Sequence, residues 1–83
     1  MGSNEFKGVW DIEVFTTLAK ASLKEGGWIS YKNVYENEQP RYGILHFGVS
    51  IDNLVGCDYI HRVGTKCSLT EKGLKRYNEL QGA

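Results

Sequence analysis

The chain reads as an α+β domain, and two stretches carry that expectation. Between Asp58 and Leu80 the order is strand, two-residue turn, strand and capped helix. Between Val9 and Glu25 the apolar residues recur with a helical period, which Gly26-Gly27 ends. At 83 residues, 41% hydrophobic and 24% charged, the composition is globular and fits one small core that buries about 60% of the unfolded surface. The opening MGSNEF resembles an expression leader with the restriction-site dipeptide Glu5-Phe6, so residues 1–5 are set apart and the domain is expected over 6–83.

Along the first helix, steps of about 100° place Ile12, Phe15, Ala19 and Leu23 in one arc. Trp10, Val14, Leu18 and Ala21 form an adjoining arc. The two together are wider than one core needs, which leaves a centrally placed helix or a subunit interface. The interface is the favoured expectation, with Trp10, Val14, Leu18 and Ala21 as its residues. Trp28-Ile29 then reads as a short extended piece. Ser30 is suited to cap a short helix, Tyr31 to about Glu36, anchored by Val34 with Tyr31 or Tyr35.

Asn37 to Gln39 is a turn, and Pro40 suits the first position of the next helix. Residues Arg41 to Gly56 fit a strand over Leu45, Phe47, Val49 and Ile51, and a helix over Ile44, Phe47, Ile51, Leu54 and Val55. The helical period runs further and is preferred, although Gly43 and Gly48 each cost a helix about 1 kcal/mol. His46, Val49, Ser50 and Asn53 then point away from the core. Asp58 falls at the left-handed position after the helix, which aspartate tolerates.

With Gly64-Thr65 as the turn, Val63 faces Lys66, Arg62 faces Cys67, His61 faces Ser68 and Ile60 faces Leu69. Ile60, Arg62, Cys67 and Leu69 share one side. Thr70 is suited to cap the final helix, Glu71 to about Gln81, which is expected to bury Leu74, Tyr77 and Leu80 and to be weakened by Gly73.

Two segments carry a family resemblance. Leu54-Val55-Gly56-Cys57-Asp58-Tyr59-Ile60 is similar to the end of a recognition helix running into a first wing strand. Leu69-Thr70-Glu71-Lys72-Gly73 resembles the segment that closes the wing and opens the last helix in MarR-like and related bacterial, archaeal and phage regulators. With the upstream helices, the chain resembles a winged-helix domain over residues 9–80: a three-helix helix-turn-helix core, a hairpin wing and a C-terminal helix. Asp58 stands where the family usually has glycine, the wing tip is two residues, and the coiled-coil extensions of larger regulators are absent.

The resemblance implies a small transcriptional regulator that binds double-stranded DNA, with the helix over 41–56 in the major groove and the hairpin over 59–69 on the backbone, and the wide apolar surface of the first helix adds the expectation of a homodimer. Carried over residue by residue, Val49, Ser50 and Asn53 would read bases, with His46 and Arg41 nearer the helix start. Arg62 and Lys66 by the hairpin tip and Lys32 at the second helix would meet phosphate. The alternative is a winged helix that binds protein and not DNA. Ten basic residues balance ten acidic ones, so total charge gives DNA binding no support.

No enzymatic activity, cofactor or metal is expected. His46, Cys57, His61 and Cys67 cluster in sequence, but no Cys-x-x-Cys unit occurs and the hairpin register puts His61 and Cys67 on opposite faces. A Cys/His nucleophile pair would lack an orienting third group, and the glycines form no phosphate loop. A buried, free Cys67 and an exposed His61 are expected. No apolar run approaches the roughly 20 residues that span a membrane, so no membrane partner and a cytoplasmic setting are expected.

Overall fold

The computed structural model describes residues 6, 8, 10–39, 41 and 43–82. In chain order these form α1 (Asp11–Glu25), β1 (Ile29–Ser30), α2 (Tyr31–Glu38), α3 (Ile44–Gly56), β2 (Ile60–Val63), β3 (Lys66–Leu69) and α4 (Glu71–Gly82). The fold is α+β, with the strands in an antiparallel sheet ordered β1-β3-β2. The expected leader, residues 1–5, and Pro40 lie outside the described residues.

The ends of α1 follow from its residues. Asp11 and Glu13 stand in the first turn, where the positive end of the helix dipole favours acids. At the other end Gly26 takes φ 83°, and the amides of Gly26 and Gly27 both donate to the Ser22 carbonyl, at 2.9 Å each. Between these caps α1 lies against α3, β3, α2, α4 and β1. Val14, Phe15, Leu18 and Ala19 are fully buried there. This corrects the interface expectation. Val14 and Leu18 are inside the chain's own core, and Trp10 and Ala21 are half-buried against it, while Ile12 and Leu23 of the first arc are exposed. Apart from Ile12 and Leu23, the wide apolar surface of α1 is covered by elements on several sides.

On α3 the buried line is Phe47, Ser50, Ile51 and Leu54. Ile44 and Val55, expected in the core, are half exposed, because the stripe that meets α1 is centred one residue away from them. The helix ends in a Schellman arrangement. Tyr59 N–H donates to the Leu54 carbonyl at 3.0 Å, Asp58 N–H donates to the Val55 carbonyl at 3.0 Å, and Asp58 sits at φ 66° as the sequence predicts.

The hairpin pairs as expected: Val63 with Lys66, Arg62 with Cys67, His61 with Ser68, Ile60 with Leu69. Gly64 supplies a turn φ of 61°.

One hydroxyl then ties three elements. Thr70 Oγ1 donates to the Asp58 carbonyl at 2.6 Å and accepts from the Gly73 amide at 2.8 Å, so it caps α4 and binds the end of α3. Gly73 is buried beside it, and a Cβ there would lie 2.1 Å from the Tyr59 carbonyl oxygen. Gly73 is therefore the residue that lets α4 reach the backbone at the start of the hairpin. Tyr77 is buried and Leu80 half-buried on α4, whereas Leu74 is exposed, a second correction.

Three substitutions test these assignments by urea unfolding. Gly73→Ala should destabilise by about 2–4 kcal/mol, since backbone must shift to admit the methyl group. Gly48→Ala, whose Cβ would meet nothing within 4 Å, should raise stability by about 0.5–1 kcal/mol. Asp58→Gly should stabilise by about 1 kcal/mol by relieving the left-handed backbone. Equal effects from Gly73→Ala and Gly48→Ala would overturn the packing role of Gly73.

Candidate docking surface on the third helix and hairpin

The solvent face of α3 is apolar. Burial of Phe47, Ile51 and Leu54 against α1 leaves Leu45 82% exposed, Val49 59% and Ile44 40%. Leu45 and Val49 are four residues apart and so stand one above the other on the helix surface. Asp52 is the only charged residue between Ile44 and Gly56, and His46 is exposed beside this strip.

The residues expected to contact DNA divide into three groups. Ser50 is buried, 4% exposed, because it lies three residues after Phe47 and four before Leu54 on the stripe that meets α1; it does not point outward. Asn53 is half-buried, and its Nδ2 donates to Asp11 Oδ2 at 3.1 Å. The same carboxylate oxygen accepts the Gly8 amide at 2.8 Å, and Asp11 is only 1% exposed. Its Oδ1 has no partner among the described residues. Asn53 thus serves as a clasp between α3 and the start of α1.

Arg62 is also engaged. Its Nη1 meets Asp52 Oδ1 at 2.6 Å, its Nε donates to the Gly64 carbonyl at 3.0 Å, and its guanidinium lies 5.3 Å from the centre of the Tyr31 ring. The ion pair is partly solvated and contributes at most about 1 kcal/mol, but it fastens the hairpin to α3. The Tyr31 amide donates to the Thr65 carbonyl at 3.0 Å, which fixes the start of α2 to the hairpin tip.

Lys32, Arg41, His46, Val49 and Lys66 remain exposed. Lys66 is not beside Arg62, however. Strand alternation turns Arg62 toward α3, while Lys66 lines a cleft with Lys20 and Lys24 of α1. The two cations expected to grip phosphate together are on different faces of the sheet. Sequence reasoning places Ile44 in the core and Leu45 in a strand alternative and gives neither of them nor Asp52 a surface role; the signal for the exposed strip is the Leu45–Val49 spacing opposite the Phe47–Ile51 pair.

The thiol chemistry is quiet. Cys67 is fully buried and free. Burial pushes its thiol up to about 11, with the Arg62 guanidinium pulling weakly the other way, so it is protonated at neutral pH. Among the described residues, no group of three or more His, Cys, Asp or Glu side chains is placed to hold a metal ion. Nor is any described helix long and apolar enough to cross a membrane.

A thiol reagent applied to the native protein should modify the half-buried Cys57 first, with Cys67 reacting only on unfolding. Two thiols titrating at one rate would contradict the burial of Cys67. Because the raised thiol keeps its proton in the folded state but loses it in the unfolded chain, stability should fall as pH rises from about 9 to about 11. Asn53→Ala should cost about 1–2 kcal/mol by removing a partner from the buried Asp11 carboxylate, read as a shift in the urea midpoint. No family model, curated protein or solved structure matches the chain.

Proposed function

We propose that the chain folds as a winged helix and works as a protein-docking module, with the exposed face of α3 as its contact surface. The element order and the hairpin beside the third helix support the fold reading. The observation that carries the functional reading is that α3 presents Ile44, Leu45 and Val49 to solvent and no lysine or arginine. Burying a Leu or Val side chain is worth about 1.5–3 kcal/mol, so this strip gains most against an apolar protein surface. A DNA-reading helix needs donors at base edges and cations at phosphate. Here Ser50 is buried, Asn53 is bonded to Asp11, and Arg62 is paired with Asp52.

The second reading is duplex DNA binding in a small cytoplasmic transcriptional regulator, and one observation favours it. Lys32 and Arg41 are both exposed, at the start of α2 and just before α3, where a helix-turn-helix meets phosphate. Only two such contacts would give a shallow salt dependence, with a slope near about −2 in log affinity against log salt.

Duplex-binding anisotropy across a salt series, run beside affinity capture with the same variants, separates the readings. Docking predicts no duplex binding at low salt and a captured partner that is lost with the double variant Leu45→Asp/Val49→Asp but kept with Lys32→Ala/Arg41→Ala. Tight duplex binding that survives the first variant and is lost in the second would replace docking with DNA recognition.

A further inference from the structure

A second surface lies away from α3. Between α1, β1 and α2 runs a cleft of about 480 Å³, within the range of small-molecule sites. Lys20 and Lys24 reach it from α1 and Lys66 from β3. None of these three lysines has an ion-pair partner among the described residues, whose ion pairs are Arg62–Asp52 and Arg76–Glu79. Lys24 stands in the last turn of α1, where a cation is favourable for the helix alone. Lys20 has no such reason. It lies four residues from Lys24, a like-charge spacing that costs a helix a few tenths of a kcal/mol. Glu25 and Glu38 also line the cleft, which leaves a formal excess of one positive charge from three lysines and two glutamates.

At the rim of this cleft is Trp28, 51% exposed, although an indole is among the side chains that gain most from burial. Its ring lies 6.2 Å from the exposed His61 ring, tilted by 31°. The two rings come together on the side of the sheet opposite Arg62. Ser30 and Asn33 add hydrogen-bonding groups to the same cleft.

We propose that this cleft binds a nucleotide, with the planar base on the Trp28 indole and the phosphate among Lys20, Lys24 and Lys66. Base stacking on an aromatic side chain is worth about 1–3 kcal/mol and tolerates any base, while the ammonium groups neutralise the phosphate. The small charge excess suits a monophosphate or one phosphodiester better than a triphosphate. The shared chemistry, one base with one phosphate, is offered both by a free mononucleotide and by a residue of single-stranded nucleic acid. The site is separate from the α3 face and does not depend on the docking role.

The test is amide and indole NMR titration of the full chain with AMP, adenosine, inorganic phosphate and a single-stranded oligodeoxyadenylate. Saturable shifts at the Trp28 indole and at Asn33 and Lys66 are expected with AMP below about 5 mM. Adenosine and phosphate should each bind at least about tenfold more weakly. Trp28→Ala should reduce AMP binding to the level of phosphate, and Lys20→Ala/Lys24→Ala should reduce it to that of adenosine, both with unchanged circular dichroism. An oligonucleotide affinity equal to that of AMP identifies a free-nucleotide site, and a much tighter one identifies single-stranded nucleic acid. No saturable shift with either AMP or the oligonucleotide, shifts reproduced by sodium sulfate at equal ionic strength, or AMP binding unchanged in both variants would overturn the proposal.

Discussion

The burial of α1 on several sides at once is the constraint on which the rest of the structure depends. Val14, Phe15, Leu18 and Ala19 are fully buried, and each larger one contributes about 1.5–3 kcal/mol by leaving water. A chain of this size has little other apolar surface to spend on a core. Both α3 and β3 therefore pack on α1, and Cys67 of the middle strand is buried as a small apolar residue. An aromatic group made of Phe6, Phe15, Tyr59 and Tyr77, with centroids 5.3–6.4 Å apart, joins α1 to the start of the hairpin and to α4. What α1 leaves uncovered on α3 is an exposed apolar face with Ile44, Leu45 and Val49.

Features set by neighbouring residues were legible in the sequence. The hairpin register, the left-handed Asp58, the glycine end of α1 and the Thr70 cap each depend on a few adjacent positions. The faces of α1 and α3 were not legible to the same degree, because periodicity gives the candidate arcs but tertiary contact selects among them. Ser50 and Ile44 show the consequence. A rotation of α3 by less than one residue decides which of them is inside, and a polar serine was the wrong guide. Asn53 is a different case, since its partner Asp11 lies on another helix and no local pattern links them. Gly73 read as a weakness in α4, yet the close approach of Tyr59 gives it a positive role.

The candidate surfaces differ in chemistry as well as place. On α3 the large exposed side chains are chiefly aliphatic, and the guanidinium of Arg62 beside it is held by Asp52 and Tyr31. That pairing fastens the hairpin to α3, though as a partly solvated contact it contributes at most about 1 kcal/mol. Across the sheet, Lys20, Lys24 and Lys66 of the cleft have no ion-pair partner among the described residues. A neutral total charge thus conceals an uneven distribution, and composition alone was a poor guide to it.

The corner formed by Tyr59, Thr70 and Gly73 has a consequence for the order of assembly. The cap of α4 is completed by a carbonyl that is in place only once α3 has turned through Asp58, and its glycine fits only against a carbonyl at the mouth of the hairpin. Part of the surface on which the last helix settles therefore exists only where these two elements meet, the rest being Phe15 of α1 against Tyr77. Its docking adds contacts between chain segments already held together, so little further loop-closure entropy is lost at that step. The C-terminal helix is a latch on a preassembled body, and its undocking can be a local event that leaves the α1–α3 core closed.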